Sequence, residues 1–166
     1  MSPGPSPTAK TPSTKFIAGS SMFALIGYGA LLIFGLGAYT ALADADVITD
    51  PRAGLVIGPV MLLGSIVPLW LGMLIVAKKR DAHTRWFAAI IVALLSWLSY
   101  VVLGMLLWLI FSPELAVTAL FFGWESAASW PSLIIVLTAA LTSIAYQAVI
   151  SSQVRKTHGD IWATSA

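Results

Sequence analysis

The chain has 166 residues, 58% of them hydrophobic and 10% charged, and it contains no cysteine. Soluble domains carry about 25% charged residues, so this composition excludes an ordinary water-soluble globule. The missing thiols exclude disulfides, thiolate metal ligands and S-palmitoylation. A net charge of +2 points to basic loops sorted across a membrane rather than to nucleic acid.

Residues 1–15 are rich in Pro, Ser and Thr, lack apolar anchors and read as a disordered leader. The stretches 16–43, 53–77, 86–113 and 126–154 then carry no Asp, Glu, Lys or Arg. Each exceeds the ~20 residues that cross a bilayer core as a helix. The expected fold is all-α, an integral membrane four-transmembrane-helix bundle with spans of about 16–43, 53–77, 86–111 and 131–154. One membrane domain, 16–154, is followed by a short tail, 155–166.

Small residues mark a stripe on the first span: Ser20, Ala24, Gly27, Gly35 and Ala38, with Leu31 completing the series. Their steps of three and four suit a closely packed helix pair. Ala41-Leu42-Ala43 has the form of a signal-peptidase site. The apolar run before it exceeds the ~7–15 residues of a signal peptide, so an uncleaved span is expected. Asp44, Asp46 and Asp50 follow, without the central Gly and bidentate Glu of a calcium loop. They read as an acidic loop whose last member caps the next helix. The shortness of that loop favours a hairpin of spans one and two.

The second span repeats the small-residue device with Gly54, Gly58, Ser65 and Gly72, and carries Pro59 and Pro68. Each proline removes a backbone donor and is expected to kink the helix. Lys78, Lys79, Arg80 and Arg85 close this half of the chain; they suit anionic lipid head groups, each contributing about 1 kcal/mol. His83 and His158 lie in charged segments and read as surface histidines rather than metal ligands.

The third span holds Ser96, Ser99 and Tyr100, and the fourth holds Thr138, Thr142, Ser143, Tyr146 and Gln147. Thr138, Thr142 and Tyr146 share one helical face. These hydroxyls either bond their own backbone or a neighbour, or border a polar cavity formed by Ser96, Tyr100, Thr138, Thr142 and Tyr146. The first reading is favoured, because polar contacts in membranes average about 0.6 kcal/mol. Between these spans, Ser112-Pro113-Glu114 is a helix start and Gly123 a plausible stop. The intervening run is too short to cross and reads as an interfacial helix, with a re-entrant segment as the alternative.

Basic residues set the orientation. With both termini and the second loop on the cytoplasmic side, eight of nine Lys and Arg lie inside and only Arg52 lies outside. An N-in/C-in protein of the cell membrane is expected. The spans hold no Asp, Glu, Lys, Arg or His, groups that ion-coupled transporters usually keep there. No nucleotide-binding, metalloprotease or nucleophile-elbow motif occurs. The expectation is a protein without catalytic site, cofactor, metal or nucleic-acid partner. It would act through helix contacts as an accessory or assembly subunit, with a membrane-protein partner or a second copy of itself. The alternative is a transporter or channel component for a neutral or lipophilic solute.

Overall fold

The computed structural model describes residues 13–44, 57–77, 82–111 and 116–163, with 82–86, 116 and 154–163 described by backbone alone. Residues 1–12 of the leader, Asp46, Asp50, Gly54, Lys78, Lys79, Arg80 and Ser112-Pro113-Glu114 lie outside the described residues, as do the side chains of Arg85, His83 and His158; Thr14 and Lys15, read as leader, are the first turn of α1. The described residues form five helices: α1 (Thr14–Ala43), α2 (Ile57–Ala77), α3 (Ala82–Phe111), α4 (Ala116–Ala128) and α5 (Trp130–Ala163). The segments Thr14–Ala43, Ile57–Ala77, Phe87–Phe111 and Trp130–Gln153 are long and apolar enough to cross a membrane. The protein is an all-helical, multi-pass membrane protein.

Local chemistry sets the helix ends. The Ser13 hydroxyl accepts from the Phe16 amide at 3.3 Å and caps α1, relieving one of the first-turn donors. Asp44 ends the helix in the left-handed region, at φ 47° and ψ 39°, a C-terminal position usually filled by Gly or Asn. Ser129 alone separates α4 from α5; its carbonyl accepts from Ser132 N at 3.1 Å and Leu133 N at 3.4 Å. Pro131 follows in the first turn of α5, where a missing N–H leaves no intrahelical bond unmade.

Glycine surfaces draw α2 and α3 together. A Cβ on Gly64 would overlap Leu103, one on Gly72 would overlap Val92, and one on Gly104 would overlap Met61. Backbones that approach this closely gain dispersion contacts, which replace the hydrophobic drive that lipid cannot supply. α5 packs on α3, and α1 packs chiefly on α5 rather than on α2. The expected hairpin of the first two spans is therefore the weaker of α1's two contacts. Tyr28, Met61, Leu69, Met73, Ile135 and Ile150 fill the centre, while Phe23, Ile33, Phe34, Ile110 and Phe121 face outward.

Pro68 sits inside α2 and cannot donate to the carbonyl of Gly64 four residues earlier. The Ser99 hydroxyl of α3 donates to that oxygen at 3.0 Å instead. Pro59 stands two residues after Ile57, where the described part of α2 begins. Gly123 ends nothing. α4 runs through it to Ala128, and Gly123 is buried where a Cβ would strike Met105 of α3. Trp108 fixes the same contact, stacking on Phe122 with ring centroids 4.6 Å apart and donating through Nε1 to Thr118 at 3.3 Å.

The glycines make opposite predictions. Gly72→Leu drives a side chain into Val92 and is expected to destabilise the detergent-solubilised protein by about 1–3 kcal/mol. Gly27→Ala meets nothing within 4 Å and is expected to leave thermal unfolding unchanged or slightly raised.

Candidate functional site

In hydrocarbon a polar side chain without a partner is costly, so the pairing of each hydroxyl shows which positions are structural. Tyr28 of α1 and Ser65 of α2 share a hydrogen bond of 2.9 Å in the buried centre, and Ser65 also donates to the Leu62 carbonyl at 2.7 Å. Trp97 of α3 donates through Nε1 to Ser132 of α5. Thr138 bonds its own helix, donating to Ile134 O at 2.7 Å and Ile135 O at 3.1 Å. Ser20 and Ser21 do the same in α1.

Among the described residues, the buried hydroxyls of Ser96, Thr142, Ser143 and Tyr146 have no hydrogen-bond partner. Two of them, Thr142 and Tyr146, line a groove of about 870 Å³ between α1 and α5, a volume typical of small-molecule sites. Tyr146 faces Ser20 across the groove but outside hydrogen-bond geometry. Phe23, Ala24, Gly27 and Leu31 form the α1 wall, Leu141, Ala145 and Val149 the α5 wall, and Lys15 stands at the end nearest the start of α1.

The groove exists because α1 and α5 meet unevenly. At Gly35 the helices are close, with Ile134 of α5 standing 2.7 Å from where a Cβ would lie. Toward the start of α1, Gly19 and Gly27 have nothing within 4 Å of that point. Small side chains on α1 thus meet a tight contact at one end and empty space at the other.

The structure divides the residues singled out in the sequence. Ser20, Ala24 and Gly27 line the groove, Gly35 makes the tight contact, and Ala38 is half-buried. Gly58 and Ser65 are buried in α2, and Gly72 lies against α3. Thr142 and Tyr146 come together at the groove; Ser96, Tyr100 and Thr138 are buried but do not line it. The groove takes in two of the five, and Thr138 turns back to its own helix. Lys15 and Ser21 were not anticipated. A lysine one residue before an uncharged run is the ordinary start of a span and signals nothing further. Ser21 is adjacent to the small-residue stripe, and only the packing of Tyr28, Leu32 and Leu36 reveals its face as the buried one.

A family model described as a family of unknown function, DUF6121, matches residues 11–166. The chain belongs to that family. No curated protein and no solved structure matches it. The DUF6121 match spans every described helix, so both walls of the groove fall within the region that defines the family.

Two tyrosines of this DUF6121 protein test the distinction between structural and unpartnered hydroxyls. Tyr28→Phe breaks the bond to Ser65 and is expected to lower stability by about 0.6–1.7 kcal/mol. Tyr146→Phe removes a buried hydroxyl with no partner and is expected to leave lipid-depleted protein as stable or more so. Thermal unfolding of both variants in the same detergent checks this.

Proposed function

We propose that this protein works without catalysis, by binding inside the bilayer, and that the α1–α5 groove receives an apolar guest from the lipid phase. The observation that carries this reading is the groove itself, about 870 Å³ between α1 and α5, where Gly19 and Gly27 meet nothing within 4 Å. Its walls are mostly apolar, which suits a lipophilic solute better than a hydrophilic one. The host membrane is the cell membrane, and both termini face the cytoplasm. The support is the charge count, with eight basic residues on one side and one on the other. Lys78, Lys79, Arg80 and Arg85 then meet the anionic head groups of that leaflet.

One observation favours a second, accessory role through contact with a helix of another membrane protein or a second copy. Only 17% of the α1 membrane window is buried, against 33% for α2, 33% for α3 and 44% for α5. α1 is the least covered helix and the natural place for a neighbour.

Native mass spectrometry tests the binding role. The wild-type chain, extracted in mild detergent, is expected to retain a bound lipid-sized molecule, and Ala145→Trp, which fills the groove from α5, is expected to lose it. Equal retention by a well-folded variant contradicts the reading. The absence of cysteine makes orientation equally direct. In intact cells, Asp44→Cys is expected to react with a membrane-impermeant thiol reagent and Ser13→Cys to react only after permeabilisation. The reverse pattern contradicts the assigned topology.

A further inference from the structure

We infer that α4 is the first half of the fourth membrane crossing, standing upright beside α3 with its free face against lipid tails, and that Ser129 marks a bend inside the bilayer. In the orientation proposed above, α4 lies in the outer leaflet. The sequence alone reads as a helix flat on the interface; the packing on α3 opposes that.

Contacts along α3 fix the direction of α4. Thr118 and Phe122 meet Trp108, Gly123 meets Met105, and Ala127 shares a small pocket with Trp97 and Leu94. As α4 advances, its partners on α3 retreat, so the two helices are antiparallel. The stretch of α3 from Trp108 back to Trp97 covers about 16 Å. It belongs to the membrane-crossing segment Phe87–Phe111, and Trp97 is near the middle of that segment. A helix that follows it must descend with it.

α4 has no face built for water. Val117, Leu120, Phe121 and Trp124 are exposed, whereas Ala119 and Gly123 are buried. A helix lying at the interface keeps a strongly polar face toward water. The polar side chains of α4 are Thr118, Glu125 and Ser126. Thr118 accepts from Trp108 and Ser126 is half-buried, which leaves Glu125 alone exposed. One carboxylate on the flank does not make a polar face. Lipid tails are the cover that suits the four large apolar side chains.

The bend at Ser129 has the internal bonding that hydrocarbon demands of irregular backbone. Its amide and its hydroxyl both donate to the Ser126 carbonyl, at 3.4 and 2.7 Å. Its carbonyl accepts from the amides of Ser132 and Leu133. The Ser132 hydroxyl is buried and accepts from Trp97. Water would serve a bend at the surface; the protein serves this one.

The test uses the full-length protein in phosphatidylcholine vesicles. The chain has no cysteine, so Val117→Cys, Phe121→Cys and Ala128→Cys each take a single spin label. All three positions are exposed and lie on one face of α4. Collision with oxygen, which concentrates in hydrocarbon, and with a water-soluble nickel chelate reports the depth of each label. Depth is expected to increase in that order, by about 16 Å from first to last. Equal depth at the three positions lays α4 flat and overturns the inference. Nickel collision at all three as frequent as at Asp44→Cys places α4 in water and also overturns it. Spin–spin broadening at Phe121→Cys gives the face to a second copy and overturns the assignment to lipid. An unlabelled variant supplies an independent reading: a carboxylate at hydrocarbon depth is costly, so Glu125→Gln is expected to raise thermal stability in the same vesicles. Unchanged or lowered stability contradicts the depth assigned to α4.

Discussion

Hydrocarbon offers no hydrogen bonds, so each polar group in this bundle must find its partner within the protein or remain without one. Pro68 makes the constraint visible. It deprives the Gly64 carbonyl of its usual donor, and Ser99, on the next helix, supplies the replacement at 3.0 Å. Gly64 is also where α2 lets Leu103 of α3 approach. One position therefore combines a proline's missing donor, a glycine's missing side chain and a serine's hydroxyl. The close α2–α3 pair contains that combination; α5 packs on α3, and α1 on α5.

The same rule sorts the remaining hydroxyls. Tyr28 with Ser65 ties α1 to α2, and Trp97 with Ser132 ties α3 to α5. Trp108 with Thr118 ties α4 to α3. Against this background the unpartnered groups stand out. An unpaired buried hydroxyl costs about 1–3 kcal/mol, and two of the residues that carry one, Thr142 and Tyr146, stand beside the groove in which α1 parts from α5. Lys15 stands at the same groove's end.

Much of the architecture was legible in the sequence, because charge gaps mark spans with little ambiguity. The four uncharged stretches correspond to four helices long and apolar enough to cross a membrane. Helix pairing was less legible. The stripe Ser20, Ala24, Gly27 predicts a close contact, yet the buried face of α1 is Ser21, Tyr28, Leu32 and Leu36, rotated by about one residue. Spacing identifies a face but not the neighbour that will fill it, and here a large residue with a polar tip reached the centre while the small ones opened a groove. Gly64, Gly104 and Gly123 show the converse: glycines outside any stripe approach a neighbour as closely as Gly72 does within one. Gly123 has the residue type of a helix stop, but α4 runs through it to Ala128 and uses its bare surface against Met105 of α3.

The claim that internal partnering governs this structure is tested most directly by one pair of substitutions on one helix. Ser99 and Ser96 lie on α3 one turn apart; the first donates to the freed Gly64 carbonyl, and the second is buried without a partner. Thermal unfolding of Ser99→Ala and Ser96→Ala in the same detergent compares them. The account predicts a loss of about 1–3 kcal/mol for Ser99→Ala, which strands a buried acceptor, and no loss for Ser96→Ala. Equal losses, or a greater loss at Ser96, would contradict it.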